Sequence, residues 1–388
     1  MWHVGCFTVP SGTSDGRSGG IPEGSSIRSV TVAAAPSLAS APISAYDRQL
    51  MAHLTVFLLA VLYLLFLVGV ALRRLVSGPL RPAWSCRQET MVRFIRWLGR
   101  RSARAGIPAM KERIDRLPSP MGSLRSRVEL EPVEVAGVPG QWILPRAIAE
   151  GAPVLYYLHG GGYVLCSVDT HRRLIARLAL RADVRALGLD YRLGPDHRFP
   201  AAVEDAVAGY RWLLERTPAS RVVLAGDSAG GGLALATLLA LKRAGAPLPA
   251  GAALISAWVD LTVDEAEDDS LTENADLDYI GGPDALRRMA DLYLGDADPR
   301  DPLASPVHGD LAGLPPLLIQ VGGLEMLHDQ NERLARRASE AGVQVEFQVW
   351  PEMVHVWHAF GHVFRPQARE AIANIAAFIN QRTSSSSN

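Results

Sequence analysis

A serine stands between glycines in Gly226-Asp227-Ser228-Ala229-Gly230, directly after the apolar run 222–225 and before a stretch of helical periodicity. A G-x-S-x-G junction between strand and helix forms a sharp turn that lifts the hydroxyl above the sheet. A serine hydroxyl is a weak nucleophile at neutral pH. It needs a histidine to take its proton and an acid to orient that histidine. For this kind of elbow the chain order is serine, acid, histidine. Glu325 and Asp329 follow the apolar run 317–321, with Glu325 nearer its end and therefore the first choice. His355 is the first histidine beyond the run 345–349, whereas His358 and His362 fall toward the next helix and read as ordinary polar residues.

Acyl transfer also needs donors for the developing oxyanion, each worth about 3–4 kcal/mol. His159-Gly160-Gly161-Gly162 follows the run 154–158 and is a loop whose backbone amides can approach a tetrahedral intermediate. His159 reads as a brace for that loop rather than a reacting group. Such chemistry requires no metal or organic cofactor.

These residues must be positioned by the alternating elements of the body, from residue 128 onward. Candidate strands at 154–158, 186–190, 222–225, 252–255, 317–321 and 345–349 alternate with helical patterns at 170–181, 201–216, 229–244, 331–341 and 365–379. Continuous apolar strands between helices imply an α/β fold with a mostly parallel sheet covered on both faces. The chemistry then belongs at the carboxyl ends of the strands. About 60 residues separate the runs ending at 255 and starting at 317, long for a simple crossover and suggestive of a cap element.

The run 54–72 holds 19 residues without a charge, about 28 Å as a helix against a hydrocarbon core of about 30 Å. It reads as one transmembrane helix, with a cleaved signal and a buried core helix as the alternatives. Arg73, Arg74, Arg81 and Arg87 follow it, against Arg48 alone close before it. The positive-inside rule then places the body in the cytoplasm. Residues 1–53 read as a disordered tail, with Met51 a plausible start, and 383–388 as a second short tail. Between anchor and body, 73–127 forms a basic neck with cap helices. Met91, Val92, Phe94, Ile95, Trp97 and Leu98 give it an amphipathic pattern that suits a lid or a lipid surface.

The whole chain has 388 residues, 48% hydrophobic, with 39 basic against 40 acidic groups. That mixture excludes a disordered or fibrous protein. The balance conceals an asymmetry: residues 73–127 carry 14 basic against 3 acidic groups, and 128–388 carry 22 against 34. An acidic body is a poor partner for nucleic acid. Cys6, Cys86 and Cys166 are too scattered for a disulfide framework or a metal site and read as thiols of a reducing compartment.

From 150 to 365 the body resembles the hormone-sensitive lipase family of α/β-hydrolase esterases. The likeness rests on HGGGYVLCSVDTHRRL (159–174), DYRLGPDHRFPAAVED (190–205), GDSAGGGLA (226–234), SPVHGDLAGLPPLLIQVGGLE (305–325) and MVHVWHAF (353–360), in the family's order. The resemblance implies that Ser228 is the nucleophile, that Glu325 and His355 complete a triad, and that the amides of Gly161, Gly162 and Ala229 form the oxyanion hole. It also implies an N-terminal cap over a catalytic domain at 128–382, and short- to medium-chain acyl esters as substrates. Members often carry Asp where Glu325 stands, so Asp329 stays open as the acid. A lactone hydrolase or deacetylase on the same triad is the rival within catalysis. A ligand-binding protein on a hydrolase scaffold and a membrane adaptor are the rivals outside it. The alcohol part of the ester and the oligomeric state are not legible.

Overall fold

The computed structural model describes residues 45–103, 106–115 and 121–384. Most of the expected tail at 1–53, and residues 385–388 of the second one, lie outside this range. Residues 45–53 and Thr383 depart from the tail reading because both are helical. A helix nucleated by an apolar run extends cheaply into flanking helix-compatible residues.

Among the described residues eight strands form one sheet, β1 (Val128–Val135), β2 (Val138–Pro145), β3 (Val154–Leu158), β4 (Arg185–Leu189), β5 (Val222–Asp227), β6 (Gly251–Ile255), β7 (Leu317–Gly322) and β8 (Val345–Trp350). Their order is β1-β2-β4-β3-β5-β6-β7-β8. The pairs from β4 through β8 are parallel, while β1 with β2 and β2 with β4 are antiparallel. The β1–β2 hairpin is absent from the sequence-based reading. It closes through Ala136 and Gly137, both at positive φ (52° and 83°), the backbone of a two-residue turn that matches strand twist.

The helices are α1 (Ala45–Ser77), α2 (Cys86–Ala103), α3 (Ile107–Asp115), α4 (Val168–Ala182), α5 (Ala201–Leu214), α6 (Ala229–Arg243), α7 (Ser270–Glu273), α8 (Pro283–Leu294), α9 (His328–Glu340) and α10 (Arg365–Thr383). Strand side chains alternate between faces, and β3 divides accordingly. Val154, Tyr156 and Leu158 join a core with Tyr210 of α5, Leu233 of α6 and Leu334 of α9. Leu155 and Tyr157 join the opposite core with Ile175 of α4 and Ile375 of α10. Each such buried aliphatic side chain contributes about 2 kcal/mol, which fixes the strand ends that carry the chemistry.

The helix α1 is long and apolar enough to cross a membrane, with mean hydropathy 2.2 over Phe57–Ser77. The core-helix alternative fails, since Phe57, Leu58, Leu64, Leu65 and Leu72 are each more than half exposed. Its other stripe docks on α2. Tyr63 and Phe66 meet Phe94 edge-on at 5.6 and 5.4 Å, and Phe66 meets Trp97 at 5.4 Å. Arg73, Arg74 and Arg93 converge on Glu89, whose side chain is fully buried. Three guanidinium groups offset the desolvation of that one carboxylate. Helix α2 thus packs along one stripe of α1.

Candidate active site

The turn between β5 and α6 holds Ser228 at φ 53° and ψ −124°, a conformation few non-glycine residues adopt. The backbone over-determines it. The Ser228 N–H donates to the Ile255 carbonyl at 2.8 Å, and its own carbonyl accepts from Trp258 N at 2.8 Å. A Cβ at Gly230 would lie 2.1 Å from the Leu158 carbonyl oxygen, so helix and strand can approach this closely only with glycine there.

Glu325 and His355 are brought together. Glu325 Oε2 lies 3.0 Å from His355 Nδ1, and the carboxylate is fully buried. Its other oxygen accepts from Ser256 Oγ at 2.7 Å and from Gly322 N at 2.6 Å. An accepting carboxylate makes Nδ1 the donor and leaves Nε2 free to act as a base. Burial disfavours the imidazolium, but the hydrogen bond and charge of Glu325 outweigh it and raise the His355 pKa above its ordinary value.

Asp329 is not part of this pair. One of its oxygens meets His328 Nδ1 at 3.0 Å and the other accepts from Ser270 N at 2.8 Å. Together with Glu332 these make the one compact His/Asp/Glu grouping among the described residues, and none of the three lines the cavity described below. His358 is buried against Gln320 at 2.8 Å and held neutral, its pKa pushed down to about 3 by burial. Burial also lowers the pKa of His362.

The glycine loop follows β3. Gly161 sits at φ 123° and Gly162 at φ 62°, and a Cβ on Gly161 would strike the Leu165 carbonyl oxygen at 2.2 Å. Ala229 opens α6, where amides lack intrahelical acceptors. The His159 ring stacks on Tyr191 at 4.4 Å, and the Tyr191 hydroxyl donates to the His159 carbonyl at 2.6 Å. Burial drives the His159 pKa down to about 3, which fits a brace.

Ser228, His355, Gly161 and Gly162 open onto one cavity of about 710 Å³, walled also by Trp258 and Met289. Several supporting residues escape the sequence-based reading. Ser256 bridges Glu325 and the Val356 N–H, the latter at 3.1 Å. Asp278 is buried behind the Glu325 pair, its carboxyl pushed up to about 6 by burial, and the hydroxyl of its neighbour Tyr279 donates to the His355 carbonyl at 2.6 Å. Asp227, within the elbow, binds Tyr157 Oη at 2.6 Å, Gly160 N at 3.2 Å and His171 Nε2 at 3.2 Å. It ties the serine turn to the glycine loop. Only the position of Ser256 just past a strand end could have signalled any of these.

Comparison with known proteins adds five findings. A family model described as alpha/beta hydrolase fold matches residues 155–359. An acetyl-hydrolase of Streptomyces hygroscopicus is 50% identical over 252 residues, 65% of this chain and 82% of that protein. An esterase of Acinetobacter venetianus is 36% identical over 253 residues, again 65% and 82%. Among solved structures, a hormone-sensitive lipase from a metagenome library superposes with TM-score 0.68 at 39% identity, covering 75% of this chain and 98% of the other. An esterase from the bacterial hormone-sensitive lipase family gives TM-score 0.65 at 39% identity, covering 82% and 97%.

Proposed function

The chain belongs to the hormone-sensitive lipase family of α/β hydrolases and is a carboxylic ester hydrolase, and on that premise we propose a serine esterase working through Ser228, His355 and Glu325. His355 Nε2 takes the proton of Ser228 Oγ as that oxygen bonds to the ester carbonyl carbon. The carbonyl oxygen becomes an oxyanion, held by the amides of Gly161, Gly162 and Ala229. Collapse breaks the bond to the alcohol oxygen, which leaves with the proton from His355. Water then attacks the acyl-enzyme, gives a proton to His355, and releases the acid as Ser228 recovers its own. Glu325 holds the imidazole in its working tautomer throughout. The 3.0 Å contact between Glu325 and His355, with Ser228 on the same cavity, carries this reading.

The substrates are short- to medium-chain acyl esters. The apolar helix anchors the protein to a membrane, and the arginines after it place the body, 128–382, on the cytoplasmic side. The neck and cap occupy 73–127. A deacetylase on the same triad is the second reading, favoured by the name of the Streptomyces relative. Hydrolysis of p-nitrophenyl esters from acetate to palmitate by the full chain, with Ser228→Ala beside it, tests the proposal. Serine-dependent turnover of the shorter esters supports it. Silence across the series from folded protein contradicts it.

A further inference from the structure

The cavity that holds Ser228 is walled in part by the apolar helix itself. Leu59 and Leu62 of α1 line it, facing Ile95 and Leu98 of α2. Leu59, Leu62, Tyr63 and Phe66 recur at helical spacing, so they form a single stripe on the side of α1 turned toward the cap. That stripe is fixed by the aromatic contacts to Phe94 and Trp97 and by the buried Glu89 clamp.

Among the described residues nothing covers the opposite stripe. Phe57 is 64% exposed and Leu65 61%, in a row of apolar side chains larger than soluble surfaces usually bear. On the cap side, beside Phe66, a second cavity of about 620 Å³ is lined by Arg73, Arg93, Arg96, Arg100 and Arg101 and by Asp276, which pairs with Arg96 at 2.8 Å. An exposed apolar stripe on a helix that runs into Arg73 and Arg74 matches a lipid surface, with acyl tails against the leucines.

We propose that the ester cleaved at Ser228 is a membrane-dissolved ester with one long apolar arm, which lies against Leu59 and Leu62 between α1 and α2 and enters from the bilayer. This deepens the serine-esterase reading and rests on it. On this account α1 is a wall of the binding site as well as an anchor, and a short acyl group at the serine is compatible with a lipophilic alcohol part filling the α1 side.

The test uses the full chain on vesicles of phosphatidylcholine and phosphatidylglycerol. Hexadecyl acetate dissolved in the bilayer, a short acyl group on a long apolar alcohol, is compared with p-nitrophenyl acetate in water. Leu62→Trp fills the α1 side of the cavity and is expected to lower the hexadecyl-to-p-nitrophenyl ratio of kcat/KM about tenfold. Leu65→Trp, on the exposed stripe, leaves that ratio unchanged. Leu59→Ala, which removes bulk and tolerates folding better than an insertion, moves the ratio by changing the same wall. The proposal is overturned if wild-type protein turns over p-nitrophenyl acetate but not vesicle-borne hexadecyl acetate, or if neither Leu62→Trp nor Leu59→Ala moves the ratio. Failure of wild type on p-nitrophenyl acetate as well sinks the esterase reading instead.

Discussion

Arg81, four residues beyond α1, grips Glu352, three residues before His355, through Nε–Oε2 at 3.1 Å and Nη2–Oε1 at 2.9 Å. Trp84 reinforces the join, its Nε1 donating to the Glu352 carbonyl at 2.8 Å. The segment after α1 therefore holds the loop that carries His355. Both ion-pair partners are about one-third exposed, so solvent screening limits the pair to about 1 kcal/mol. Trp84 is only 2% exposed in a cluster with Met353 and Trp357.

Trp84→Ala is accordingly expected to cost about 3–5 kcal/mol, seen as a clear fall in Tm. Arg81→Ala costs about 1 kcal/mol or less and lowers kcat a few-fold through a looser His355 loop. Equal Tm values for wild type and Trp84→Ala, measured by calorimetry, contradict this docking.

The two acids separate by substitution. Glu325→Gln keeps the shape but loses the charge that orients His355, and turnover is expected to fall by about 10⁴-fold. Asp329→Ala breaks contacts only with His328 and Ser270 and keeps turnover within a few-fold. Steady-state rates of both variants decide, and loss confined to Asp329→Ala reverses the assignment.

In the proposed mechanism activity needs neutral His355. The carboxylate of Glu325 raises its pKa above 6.5 against the opposing effect of burial, so kcat/KM falls on the acid side with a midpoint above pH 6.5. Glu325→Gln leaves burial unopposed by that charge, and the acid limb of its residual activity moves to lower pH. A pH–rate profile of both proteins reads the shift directly. An unmoved limb shows that another group sets it.

Burial alone raises the Asp227 carboxyl pKa, but the charge and hydrogen bond of His171 and the bond from Tyr157 outweigh it and bring it down to about 2. His171 is raised above 6.5, Asp227 overcoming burial. The carboxyl contribution is present above its ordinary 3.8 and lost as pH falls toward about 2. The imidazole contribution is present below 6.5 and lost as pH rises through the raised value. The pair thus stabilises most between about pH 4 and 6.5, by about 2 kcal/mol. The Tm gap between wild type and Asp227→Asn is expected to be widest near pH 5 and to narrow by pH 9. A gap independent of pH contradicts the ion pair.

The legible and hidden parts of this molecule differ in the range of their causes. The runs behind β3 and β5 are uninterrupted apolar segments, buried on both faces, so composition alone marks them. Ser228 and the glycine loop are equally local, because sharp turns need glycine beside them. The β1–β2 hairpin is also locally marked, since Val128-Glu129-Leu130-Glu131 alternates as a half-buried edge strand does, although the sequence-based reading passes over it. Ser256 reaches Glu325 across 69 residues, and Arg81 reaches Glu352 across 271. No periodicity encodes such pairings. The docking of α1 onto α2 is hidden for the same reason, since a uniformly apolar run does not reveal which stripe meets protein.

The proposed mechanism makes Ser228 a nucleophile activated by His355. Its most direct test is mass spectrometry of the full chain after exposure to a fluorophosphonate, whose phosphorus bonds to an activated serine oxygen as fluoride leaves. One adduct per chain is expected, on the peptide containing Ser228, absent in Ser228→Ala and strongly slowed in His355→Ala. An esterase-active protein that takes no adduct, or takes it on another residue, contradicts the account.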